Sequence, residues 1–205
     1  MKYLYRIVNA LLAAAVFPSI LFLDGILLRA STSFFDYGLQ ETFTFMRIIN
    51  ILTGKETFFG IPFEPGTASW PTALDPVKGK LIACAVFFVL TIVAALFVFF
   101  WSIFSNKRIP VAAVSAFGII SMSISTGLFR SATNLLTSGA INAVQLFSDG
   151  WLASLLGGII NIDRLEFAGF QNGIIICFLL IIVWTGAYYL IELGDPKEEK
   201  VKKHK

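Results

Sequence analysis

Side chains that could do chemistry are few, and their positions limit what they can do. The only histidine, His204, is the penultimate residue of a charged tail. Ser–His–Asp catalysis and histidine metal sites both need an imidazole held in place by the fold, so neither is expected. The acidic residues within or beside the apolar stretches are Asp24 and Glu192. They fall near opposite faces of the bilayer in the topology derived below, too far apart to share a proton as an acid–base pair. The two cysteines, Cys84 and Cys177, each lie about one turn inside the end of an apolar span. They could meet only if those spans are neighbours, and their commoner role is as small buried apolar groups. No GxSxG, HExxH or P-loop spacing occurs. The expectation is a non-catalytic chain with no metal and no cofactor.

What must position these residues is a membrane. Of 205 residues, 57% are hydrophobic and only 14% charged, 21 are Phe, and the mean hydropathy is +0.79. A soluble chain of this size leaves much of its surface in water and could not hide so much apolar area. Two cysteines exclude a secreted disulfide scaffold, and the hydrophobicity excludes disorder.

A bilayer core of about 30 Å takes about 20 apolar residues as a helix. Four stretches meet that length, at about 5–28, 81–104, 109–129 and 173–193. Asn9, Pro18 and Asp24 interrupt the first, whereas the second carries no charge. Lys2 and Arg6 ahead of Ala13-Ala14-Ala15 also resemble a cleavable leader. The apolar run continues past Phe22 to Leu28, which favours a retained anchor. A fifth span over 140–162 would put Asp149 near the bilayer centre, at a cost of about 3 kcal/mol. The fold expected is therefore an all-α integral membrane protein, one polytopic domain of four transmembrane helices.

Orientation follows from the basic residues flanking the spans. Lys2 and Arg6 precede the first, and Lys107 and Arg108 fill the tight link between the second and third. Lys197, Lys200, Lys202, Lys203 and Lys205 crowd the tail over 194–205. By the positive-inside rule both termini are cytoplasmic, and two long, partly helical loops at about 29–80 and 130–172 face outward.

In the first loop, Phe34, Phe35, Leu39, Phe43, Met46, Ile49 and Leu52 recur near helical spacing. This predicts an amphipathic helix from Phe34 to Leu52 that lies on the outer leaflet, packs on the other loop, or meets a neighbouring subunit. Proline and glycine then break the chain around Trp70. In the second loop, Trp151 to Ile162 reads as a short helix or re-entrant piece. Phe34, Phe35, Phe43, Met46, Ile49, Trp70 and Trp151 form the expected outer interaction surface.

The third span separates two faces. Ser115, Gly118, Ser121, Met122, Ser125 and Thr126 share one, and Ala113, Phe117, Ile120, Ile124 and Leu128 the other. The small, hydroxyl-bearing face suits close helix packing or the lining of a weakly polar pore. Asp24 and Arg130 fall at one depth near the outer interface, where an ion pair would tie spans one and three.

The leading functional expectation is a four-helix membrane protein that assembles with itself, a channel or pore being one form of that assembly. The runner-up is an accessory or structural subunit of a larger membrane complex, and a membrane-embedded enzyme comes third. The expected surroundings are a plasma membrane or bacterial inner membrane, with anionic lipid at the lysine-rich tail. The tail is too short and too mixed in charge for nucleic acid.

Overall fold

The computed structural model describes residues 2–32, 38–52, 55, 75–138 and 160–193. Helix α1 (Lys2–Ala14) and helix α2 (Val16–Phe22) form one apolar rod with a break at Ala15. The break has a covalent cause: Pro18 has no N–H to give the Ala14 carbonyl. Nearby groups compensate, with the Ser19 hydroxyl donating to the Ala15 carbonyl at 2.8 Å. Two long helices follow, α4 (Asp75–Phe104) and α5 (Arg108–Thr137), and then α6 (Phe170–Leu193). Four segments, Tyr3–Phe22, Asp75–Phe104, Arg108–Leu135 and Phe170–Glu192, are long and apolar enough to cross a membrane.

These rods stand in a ring. Helix α4 lies between α1 and α5, and α6 closes the ring between α5 and the α1–α2 rod. Much of the interior is apolar: Val98, Val111, Met122, Ile174, Phe178 and Ile181 are fully buried. Large apolar side chains on the outside, such as Val93, Ile120 and Val183, are more than half exposed, as expected of a surface that meets lipid.

Side-chain contacts fix which ends meet. Arg6 of α1 donates from Nε to the Ser102 carbonyl at 3.2 Å and from its guanidinium to the Ile103 carbonyl, capping the last turn of α4. Arg108, at the start of α5, pairs with Glu192 near the end of α6 and lies over the Tyr188 and Tyr189 rings. Neighbouring rods thus run antiparallel. The start of α1, the α4–α5 link and the end of α6 share one end of the bundle.

The opposite end departs from the all-α expectation. Strands β1 (Asp24–Thr32), β2 (Gly38–Thr44) and β3 (Ile160–Phe167) form an antiparallel sheet in the order β2-β1-β3. The first span therefore ends at Phe22, not Leu28, and its apolar continuation Ile26-Leu27-Leu28 is strand. The amphipathic helix expected over Phe34 to Leu52 is likewise half strand: β2 runs to Thr44, and only Phe45–Leu52 is helix, α3. Ile160, at the end of the expected Trp151–Ile162 helix, begins β3. Strand pairing sets Ile26 side by side with Phe43 and Phe167 while the backbone groups bond across the sheet.

The sheet is clamped to the bundle by rings. Ile26 stands between Phe43 on β2 and Phe167 on β3. Phe167 stacks on Phe129 of α5 at 4.2 Å between centroids. Phe45, the first residue of α3, stacks on Phe88 of α4 at 5.5 Å and meets the edge of Phe170 of α6 at 5.2 Å. On the other flank, Leu165 packs on Val77 and Ala132.

Candidate functional site: the polar interior of the bundle

The small-residue face of α5 is turned inward. Ser115, Ser121, Met122 and Ser125 are fully buried, whereas Phe117 is 45% and Ile120 56% exposed. Three of its members close contacts between helices of this chain. Gly118 lies beneath the Phe178 ring of α6, which would come within 2.6 Å of a β-carbon placed there. The Ser125 hydroxyl donates to the Cys84 carbonyl of α4 at 2.9 Å and lies 3.3 Å from the Cys84 sulfur. The Thr126 hydroxyl, half-buried, is placed between the Met122 carbonyl at 2.9 Å and Gln171 Oε1 of α6 at 3.2 Å.

Farther along the same face the hydroxyls have no such partners. The Ser115 and Ser121 hydroxyls are buried without a hydrogen bond, and so are the Tyr5, Ser102 and Thr185 hydroxyls, the Asn9 carboxamide and the indole N–H of half-buried Trp184 on the surrounding helices. Asn9 is fully buried with both ends of its carboxamide unpaired. The Tyr5 hydroxyl lies beside Thr185 and Asn9, and its ring stacks on Tyr188 at 4.7 Å.

Apart from Ser121, these groups lie within about 12 Å of the charged end of the bundle, at about 1.5 Å per residue. Ser115 on α5 and Thr185 on α6 are each about 10 Å in from the Arg108–Glu192 pair, at about 1.5 Å per residue. Ser102 is level with Arg6, and Asn9 is one turn deeper. Every rod of the ring therefore contributes polar atoms to a polar layer about 12 Å deep at this end of the bundle. In the sequence Asn9 is visible only as an interruption of span one, and the significance of Ser102 and Thr185 depends on which helices become neighbours.

The remaining expected site residues are dispersed. Asp24 and Arg130 are both exposed, and no ion pair joins them among the described residues. Phe43, paired with Ile26, is only 4% exposed, so its ring is not part of an outer surface. Met46 and Ile49 are exposed on α3. Phe34, Phe35, Trp70, Trp151 and the lysine-rich tail lie outside the described residues. Cys84 and Cys177 are buried free thiols. Among the described residues no cluster of three or more His, Cys, Asp or Glu side chains could hold a metal ion. Comparison with protein-family models, curated proteins and solved structures returns no match.

Proposed function

We propose that this chain is a non-catalytic building block of a membrane assembly, joining copies of itself or a larger complex in a plasma membrane or bacterial inner membrane. The observation that supports this reading is the sheet held on the bundle by Phe167, Phe129, Phe45 and Phe88. Ring stacking on three rods fixes β1, β2 and β3 relative to the spans. Such a platform presents a defined surface outside the membrane to a partner. Strands β2 and β3 are its two edges, and a sheet edge offers backbone groups to an incoming strand.

The apolar part of the interior also bears on the channel reading. Phe178 on Gly118, with Met122 and Val98 buried beside them, leaves the axis of a single bundle packed with side chains. A pore built from this chain would therefore run between copies and not through one. The shared end of the rods carries Arg6, Lys107 and Arg108, and the positive-inside rule assigns that end to the cytoplasm.

A photo-crosslinking side chain at Arg164, on the exposed part of β3, tests the platform in intact membranes. The reading expects one discrete product, at twice the mass of the chain or at its mass plus one fixed partner. The same probe at buried Ser115 should give none. Failure to crosslink from Arg164 and from lipid-facing Val93 alike would contradict an assembling role.

A further inference from the structure

Buried polar atoms without partners are rare in folded proteins, and each asks for an explanation. Here Tyr5, Asn9, Ser102, Ser115, Trp184 and Thr185 come from the four rods of the ring, and all carry such atoms within about 12 Å of the charged end of the bundle. The surrounding apolar core shows that the sequence can fill this space with hydrocarbon. Val98 and Val111 do so beside the layer, and Met122, Phe178 and Ile181 do so beyond it.

The donor and acceptor inventory narrows what could satisfy the layer. Asn9 offers two donors and an acceptor, each hydroxyl both donates and accepts, and the Trp184 indole only donates. A bare cation would need acceptors alone, and an anion donors alone. Two charges border the layer: Arg6, which is taken up by the Ser102 and Ile103 carbonyls, and Arg108, which acts on the Tyr5 hydroxyl and is paired with Glu192. The mixed, uncharged set suits a small neutral molecule that donates and accepts equally, and water fits that description. Buried waters in proteins typically make about three hydrogen bonds to groups of this kind.

We infer that the layer around Asn9 is an internal hydration site, in exchange with solvent at the Arg108–Glu192 end and closed on its far side by Phe178 against Gly118. It is a polar recess reaching part-way into the membrane, not a conduit through it. Water held there links α1, α4, α5 and α6 through bonds their side chains do not make directly.

Water-edited solid-state NMR on the full-length protein in lipid bilayers tests the site directly. Magnetisation starting on water should reach the Asn9 carboxamide and Thr185 several-fold faster than Val98 or Ile174. Equal, slow build-up at all four positions would overturn the inference. Asn9→Leu gives a second reading by thermal unfolding. At a hydrated site the leucine breaks water-mediated bonds and leaves its neighbours unpaired, so the melting temperature falls. A variant too unstable to purify counts on the same side. At a dry site the substitution removes a buried orphan amide, and a raised melting temperature would contradict the proposal.

Discussion

The Phe178 ring covers Gly118 so closely that a β-carbon on the glycine would lie 2.6 Å from its Cζ. Helices α5 and α6 can approach this far only because position 118 has no side chain. Gly118→Leu should therefore force the helices apart and destabilise the bundle by about 1–3 kcal/mol, the usual cost of overpacking. Gly127 and Gly186 have nothing within 4 Å of an added β-carbon. Alanine at either should be neutral or slightly stabilising, since alanine is the better helix former. Thermal unfolding in mild detergent distinguishes the three variants, and equal tolerance would dissolve the packing argument.

Gly25 supports a second, independent close approach. An added β-carbon there would meet the Phe43 carbonyl at 2.8 Å and the Phe45 ring at 3.0 Å, where the β1–β2 register shifts between Asp24 and Ile26. The Gly25 carbonyl also accepts from the Ala168 N–H at 3.0 Å. Gly25→Ala should loosen the sheet and leave the bundle in place. Hydrogen exchange should accelerate at Ala168 and along β1 and remain slow within α5.

Sequence pattern revealed the rods far better than the sheet, and the reason is range. Span-forming stretches such as 81–104 announce themselves within one window, because lipid demands unbroken apolar length. Strand β1 pairs Arg29 with Arg164, and no local period records a partner so distant in the chain. Ile26-Leu27-Leu28 merely extended the apolar run of the first span, and Phe43 with Met46 fitted a helix as well as a strand–helix junction. The inward face of α5 was legible as a stripe of small residues. Whether it met a helix, a pore or another copy depended on Phe178, Cys84 and Gln171, which no wheel of one helix contains.

The shared end of the rods should depend on Arg6 and on the Arg108–Glu192 pair. Arg6→Leu leaves the Ser102 and Ile103 carbonyls without their charged donor and should cost about 1–2 kcal/mol. Leucine at Tyr3, which is 78% exposed on the same helix, should cost almost nothing. A double-mutant cycle of Arg108→Ala with Glu192→Ala should give a coupling of about 1 kcal/mol, falling as salt is added. Additive losses would mean that the pair contributes no linkage between α5 and α6.

Orientation is open to a labelling test. In a background with Cys84 and Cys177 replaced by alanine, single cysteines at Ser69 and Ser148 should react with an impermeant reagent applied outside intact cells. One at Lys202 should be protected until the membrane is broken. Tail labelling from outside would reverse the assignment of the Arg108–Glu192 end.

The account's central claim is that the chain works as part of an assembly, and native mass measurement in lipid nanodiscs or mild detergent tests it most directly. It should give a discrete species heavier than the 22.6 kDa chain, either a symmetric oligomer or a complex with one fixed partner. A solitary chain across a range of protein concentrations and native-like lipids would contradict the account.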